Sequence, residues 1–465
     1  MNALPKRWFL PFLFLLVTSV YWASIAGITS SNDGSHFALL RAMTDQQQFE
    51  ISDYLSFTEN QDYALNGDLY FSDRPPGTAW LTLPTYLIGQ WLPALPLPTS
   101  KHDANNPHLL YALIPTVTAA GVAVLLLYSL LTRSLQISPA IATFTVLSFA
   151  LGSIHWKYAT LLYSHAMSSG LLWVVLGLSL HWREHSPRPW QNLLLGFLLG
   201  ALVWVEYTNM VAVAWIGSFY CLWQWKNRTG LFWFVLGGVL AGLVLMSYNL
   251  LNFGSPFELS TFNVDTTRWP QNKSFANDFA TPIWQGLPAL LVWGNDNQGL
   301  FLLSPVAIVG LWGIRPLWCY SRILCVFLLG LFGCMLALFS MSTTFNPATN
   351  DGRYLTPFLG LWFVAVAFGI QALPKGVFTN GVLAVLGWLS LQNQIWHIAY
   401  SWGHSIDLSQ WRSWSIAPDN LARLSHAVFH NWQNLPAWWL LLAGVAGLAG
   451  LARTLWFARS PKDTA

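Results

Sequence analysis

Apolar residues run through this chain in long blocks, and polar residues collect in a few stretches between them. A helix needs about 20 apolar residues to cross the hydrocarbon core of a bilayer. Read on that scale, the sequence predicts spans at 8–28, 109–131, 138–155, 164–181, 191–206, 208–224, 231–251, 298–314, 321–341, 354–373, 378–397 and 436–456, about 12 crossings of this length. The segment 77–96 is apolar too, but Pro84, Pro93 and Pro96 interrupt it. Proline removes an interior helical hydrogen bond, so this segment is expected to lie at the interface or to re-enter rather than cross. Three long polar stretches, 29–108, 252–297 and 398–435, have no pattern of a separate soluble domain. The first carries aromatics throughout (Phe49, Tyr54, Phe57, Tyr63, Tyr70, Phe71) and is expected to fold onto the membrane surface. No internal repeat is visible. The expected architecture is one all-α polytopic membrane domain over 1–465.

Charge orients the spans. With the N-terminus in the cytoplasm, every predicted cytoplasmic connection carries Lys or Arg, from Lys6 and Arg7 through Arg133, Arg183, Arg188, Lys226 and Arg228 to Arg315, Arg322, Lys375 and Arg453. Basic residues prefer that side. Counting 77–96 as a crossing would invert everything after it. Both termini are then cytoplasmic, and the three long stretches are extracytoplasmic.

Composition agrees. The chain is 54% hydrophobic and only 9% charged, against about 25% charged in soluble domains. Lys6 and Arg7 before an apolar segment also fit a signal peptide, but many equal segments follow, which favours a retained first span. The formal charge of +3 gives no reason to expect nucleic acid as a partner. Cys221, Cys319, Cys325 and Cys334 lie in or beside apolar runs, at spacings that match no metal motif.

Ionisable groups beside a low-dielectric boundary are functional candidates. Asp33, in "ITSSNDGSHF", follows the first span directly, and His36 would share its face on a helix. The pair reads as base and partner, as two metal ligands or as a surface contact. The alternative for Asp33 is a helix cap, since "SSNDGS" is good capping sequence. In "YFSDRPPGTAW", Pro75 and Pro76 make a rigid turn. Arg74 beside it can face phosphate, while Asp73 is a second acid or simply the neighbour of Arg74. Lys157 and His165 occupy the predicted outer ends of two spans, and Glu206 sits in a tight helical hairpin as a cap, an ion-pair partner or a ligand. Arg353 and Tyr354 open a later span. A guanidinium there can hold phosphate bidentately, or can snorkel or pair with Asp351.

Taken together, "NDGSHFALLRA", "YFSDRPPGTAWLTLPTYLIG", "LGSIHWKYATLLYSHAMSSGLL", "LVWVEYTNM", "NFGSPFE", "QGLFLLSPVAIVGLWGI" and "NDGRYLTPFLGLW" resemble, in order, segments of bacterial GT-C-fold glycosyltransferases. That group includes the protein O-mannosyltransferases and the lipid A aminoarabinose transferases. The resemblance covers most of 8–373. Two departures stand out: Gly34 follows Asp33 where many relatives have Glu, and Arg74 stands where Lys is common. The resemblance implies transfer of a sugar from a polyprenyl-phosphate carrier, on the outer face of a plasma membrane, to a protein, lipid or glycan acceptor. Asp33 would then be the general base, and Arg353, Arg74 and Lys157 would face the donor phosphate. His36, Asp73, Tyr70, His165, Glu206 and Tyr354 would support these groups or face the acceptor. Some relatives use a metal held by a loop Glu and a later His, so a divalent cation (Mg, Mn or Zn) is an open option with no ligands assigned. The rival class is a multi-pass transporter or flippase, which predicts charged or broken helices at mid-membrane and related halves. Here the acids collect at the outer ends of the predicted spans. A non-catalytic scaffold is the third class, and the aromatic, acidic first loop with its proline turn speaks against it.

Overall fold

The structure is a computed structural model, and it describes residues 4–95, 106–183, 187–265, 275–294, 297–343, 352–400 and 444–445. Four helices among these residues are long and apolar enough to cross a bilayer: Leu109–Ser134, Arg228–Phe253, Arg322–Ser340 and Arg353–Ala372. Other apolar helices stand at the remaining expected positions, at Leu4–Ala23, Pro139–Leu151, Ser164–Arg183, Pro189–Val205, Met210–Trp223 and Val377–Tyr400. The expected span 298–314 is broken. Leu300–Leu303 ends at Ser304, a turn follows at Pro305–Val309, and the helix resumes at Gly310–Tyr320. Proline at 305 has no amide hydrogen to continue the ladder. Nearly all of the span expected at 436–456 and of the stretch 398–435, and Asp351, lie outside the described residues.

The helices close on one another at small residues, as apolar helices do when backbones must approach. Pro189–Val205 packs along Arg228–Phe253, where a Cβ on Gly196 would run into the Phe234 carbonyl and one on Gly237 into that of Leu193. Gly310–Tyr320 meets Leu359–Ala372 in the same way through Gly313 and Gly369. Large side chains such as Tyr21, Phe149, Trp173 and Phe363 fill the interior.

The described part of the first long loop is structured. It begins with the helix Ser31–Arg41, continues through a 3₁₀ turn at Ser52–Thr58, and forms an antiparallel hairpin that pairs Tyr63 with Ser72 and Asn66 with Leu69. Gly67 takes the left-handed backbone (φ 61°) its turn requires. The hairpin is tied to the second long loop, where Leu65 N donates to Asn263 O at 2.7 Å. Then comes Gly77–Gly89, 13 residues long with Pro84 inside it. At about 1.5 Å per residue it reaches only ~20 Å, short of the ~30 Å core. Leu81, Leu87, Ile88 and Trp91 are exposed along it and just after it.

Candidate active site

Three backbone events bring the candidate residues together. After the first helix the chain pairs with 160–162, with Ala26 N and Gly27 N both donating to Thr160 O and Leu162 N donating back to Gly27 O. This sets Tyr163 beside Ser30. Next, the Pro-Pro-Gly turn docks on the end of the Pro189–Val205 helix, where a Cβ on Gly77 would collide with the Trp204 carbonyl. Arg74 is thereby carried towards Glu206. Finally, Gly352, at φ 72°, turns the chain so that Arg353 and Tyr354 enter the cluster.

Asp33 is the third residue of its helix and completes a capping box with Ser30. Its Oδ1 accepts from Ser30 N and Ser30 Oγ, each at 2.8 Å. Its Oδ2 accepts from Thr29 N at 2.7 Å and Thr29 Oγ1 at 3.3 Å. All its lone-pair positions are used, and the side chain is fully buried. Burial pushes its carboxyl up from the ordinary 3.8 to about 6, against the pull of the hydrogen bonds from Thr29 and Ser30. From Asp33 a polar chain leads outward: Ser30 Oγ lies 2.8 Å from Tyr163 Oη, and Arg353 Nη1 donates to Tyr163 Oη at 3.5 Å. The Arg353 guanidinium lies over the rings of Tyr163 and Tyr354, 5.5 and 5.1 Å from their centroids.

Arg74 anchors the other half. It pairs with Asp62 and with Asp73, each at 3.3 Å. Asn32, with its amide oxygen towards the guanidinium, accepts from Nη2 at 3.1 Å and Nη1 at 3.2 Å. Asp73 also accepts from Ser35 Oγ at 3.1 Å. Burial raises its carboxyl, the Arg74 charge opposes this, and the Asp62 charge adds to it. His36 is buried beside Arg74. Burial, aided by that charge, lowers it to about 3, so it is neutral, and its Nδ1 has no hydrogen-bond partner among the described residues. No hydrogen bond joins Asp33 to His36 among the described residues.

The charges of Arg74 and Arg353 both act on Glu206, whose Oε2 accepts from Ser164 Oγ at 2.9 Å. Arg74, Arg353 and Glu206 are partly exposed, whereas Asp33, Asp73 and His36 are buried. His165 packs edge-on against the Tyr354 ring at 4.9 Å. Lys157 lies one aromatic ring away. Its ammonium is over Tyr158 at 5.5 Å, and Tyr158 packs on Tyr163. Tyr70 lies in the hairpin, edge-on to Tyr63. Sequence reasoning missed Asp62, Tyr163, Asn32 and Ser30. Asp62 was one acid among many in its loop. Only the pairing of 26–27 with 160–162 makes Tyr163 a neighbour of Asp33.

The departure at Gly34 has a steric cause. A Cβ there would overlap the Phe57 carbonyl, so the 3₁₀ turn Ser52–Thr58 excludes any side chain at 34. The paired acid of many relatives has no room. A divalent cation needs several converging oxygen or nitrogen donors. Among the described residues no three His, Cys, Asp or Glu side chains converge in that way. Asp62 and Asp73 both pair with Arg74. The described residues of this cluster do not supply a metal's donor set.

The helical bundle, with its cluster of arginines and carboxylates where the first long loop meets the helix ends, is similar in fold to polytopic membrane proteins of the GT-C fold. The solved structures it resembles include ArnT from Cupriavidus metallidurans in the apo state, at TM-score 0.52 and 13% identity over 96% of this chain and 78% of that one. ArnT bound to undecaprenyl phosphate matches at TM-score 0.51 and 12% identity, with the same coverage. The archaeal oligosaccharyltransferase AglB from Archaeoglobus fulgidus, in complex with an inhibitory peptide and a dolichol-phosphate, matches at TM-score 0.48 and 13% identity over 91% of this chain and 60% of that one. No protein-family model and no curated protein sequence matches the chain.

Proposed function

We propose that this protein is a membrane glycosyltransferase that moves a hexosyl or pentosyl unit from a polyprenyl-phosphate-linked donor to an acceptor on the extracytoplasmic face of a plasma membrane. The observation that carries this is the placing of two partly exposed arginines, Arg74 and Arg353, where the first long loop meets the helix bundle: Arg74 pairs with Asp62 and Asp73, and both charges act on Glu206. ArnT, of the same fold, binds undecaprenyl phosphate. In the reaction the acceptor oxygen attacks the anomeric carbon, and the bond from that carbon to the phosphate oxygen breaks. The bonding electrons leave with the phosphate, and the acceptor proton passes to a base. Arg353 and Arg74 stabilise the charge that grows on the leaving phosphate. Asp33 is the proton sink, reached through the Ser30 hydroxyl and Tyr163. No step is routed through a metal.

A second reading of the base has its own support. Glu206 is partly exposed, and Ser164 is its one side-chain hydrogen-bond partner among the described residues, so an acceptor hydroxyl can approach it directly, as a base within hydrogen-bond reach requires. Transfer assays of Asp33→Asn and Glu206→Gln in membranes separate the two, because only the variant that removes the base loses turnover. Copurification with polyprenyl phosphate or its sugar conjugate, together with mass spectrometry of glycans and lipids in a deletion strain, tests the function itself. A strain with unchanged glycans and a protein that binds no such lipid would sink it.

A further inference from the structure

Polar side chains inside an apolar helix are costly unless something meets them. The Val377–Tyr400 helix carries four at helical spacing, Ser390, Asn393, Gln394 and His397, all buried. The first three face the broken helix at 300–309. Asn393 Nδ2 donates to Leu302 O at 2.7 Å, Gln394 Nε2 donates to Leu303 O at 3.0 Å, and Ser390 Oγ accepts from Val306 N at 3.0 Å. They satisfy backbone groups that the break frees. His397, one turn further on, meets Lys157, with Nζ 3.2 Å from Nε2. With Lys157 as an ammonium, which has donors only, Nε2 is the acceptor and the imidazole proton sits on Nδ1.

Lys157 is also close to the candidate site. Ile154, one turn before it, lines an apolar cleft with Leu303, Ser304, Gly352 and Leu355, and Gly352 and Leu355 flank Arg353 in sequence. On the other side, the Tyr158 and Tyr163 rings connect the lysine to Arg353. A lysine is a point charge on a flexible stem. A buried acceptor such as His397 contributes to fixing its aim.

We propose that His397 is a positioning residue for Lys157, holding the ammonium in the aim by which it meets the phosphate of the lipid-linked donor. This rests on the donor reading of the site given above. His397 itself does not touch the donor.

The test uses the full chain in nanodiscs and measures binding of undecaprenyl phosphate alone. The variants are Lys157→Ala, His397→Gln (which keeps an acceptor), His397→Leu (which keeps bulk and accepts nothing) and the double variant Lys157→Ala/His397→Leu. Wild type is expected to bind. Lys157→Ala and His397→Leu should each weaken binding about tenfold, the scale of one charge-assisted hydrogen bond, and His397→Gln should stay within about threefold. The double variant should be no weaker than Lys157→Ala, because both changes act through one contact. Additive losses in the double variant, no rescue by Gln, or wild-type binding by either single variant would overturn the proposal and leave the donor reading standing. A wild-type protein that binds none of the lipid would overturn both. Should His397→Leu fail to insert, His397→Phe completes the same cycle.

Discussion

Replacing Asp33 by Asn exchanges one carboxylate oxygen for an amino group in a site built entirely of donors. Whichever oxygen is replaced, a backbone amide at 2.7 or 2.8 Å then faces another donor. The hydroxyls of Thr29 and Ser30 can rotate to accept, but the amide cannot, and one orphaned buried donor costs about 1–3 kcal/mol. Against this, the substitution removes a buried charge. The rise of Asp33 from 3.8 to about 6 means that the ionised form is penalised in the fold, by about 3 kcal/mol at pH 7. The two effects are of similar size and opposite sign, so Asp33→Asn is expected to insert and melt within a few degrees of wild type. Its loss of transfer then reports chemistry and not misfolding. The expected loss is about 10²–10⁴-fold, the range of a positioned base. The assay pairs thermal unfolding of the purified protein with transfer in membranes. Wild-type turnover in a folded variant would remove Asp33 from the mechanism. A collapsed melting temperature would instead show that the capping bonds outweigh the buried charge.

The pH dependence follows with a fixed sign. A base must be unprotonated, so kcat/KM should rise with pH through about 6, and this limb should vanish in Asp33→Asn. The folded state binds this proton more readily than the unfolded chain, so the contribution of Asp33 to stability is present below 3.8 and lost as pH rises to about 6. Glu206→Gln keeps the Ser164 contact and the fold. It loses about 10²-fold or more in kcat if Glu206 takes the proton, and near-normal kcat would leave that role to Asp33. For Arg353→Ala, donor binding should weaken about tenfold or more, with Arg353→Lys in between because it keeps charge but not the bidentate fork; equal binding by all three proteins would count against a phosphate contact. Gly34→Ala should destabilise by about 1–3 kcal/mol or more, since the new methyl meets the Phe57 carbonyl, and an unshifted melting curve would contradict that packing.

Much of the plan was legible in one dimension. Blocks of apolar residues marked where helices stand, because hydropathy is summed over about 20 residues and tolerates local error. The prolines of 77–96 led to the expectation of an interfacial or re-entrant segment, and the helix that forms there is Gly77–Gly89, with Pro84 inside it. The motifs around Asp33, Arg74, Glu206 and Arg353 were visible as separate fragments, and the structure assembles them. Tyr70 was singled out with them, and its ring lies in the hairpin, edge-on to Tyr63.

The sequence by itself thus determined a polytopic membrane helix bundle, its polar connections and most of the charged residues near their ends, since these follow from local composition and the cost of charge in lipid. Tertiary structure alone decided which carboxylate is sealed and which is open. Asp33 is closed off by Thr29 and Ser30 within its own turn, while Glu206 stays partly exposed between arginines from two distant segments. It also joined Lys157 to His397 across 240 residues of chain. Burial and hydrogen-bond geometry are properties of neighbours brought together by folding, and no local pattern in the chain encodes them.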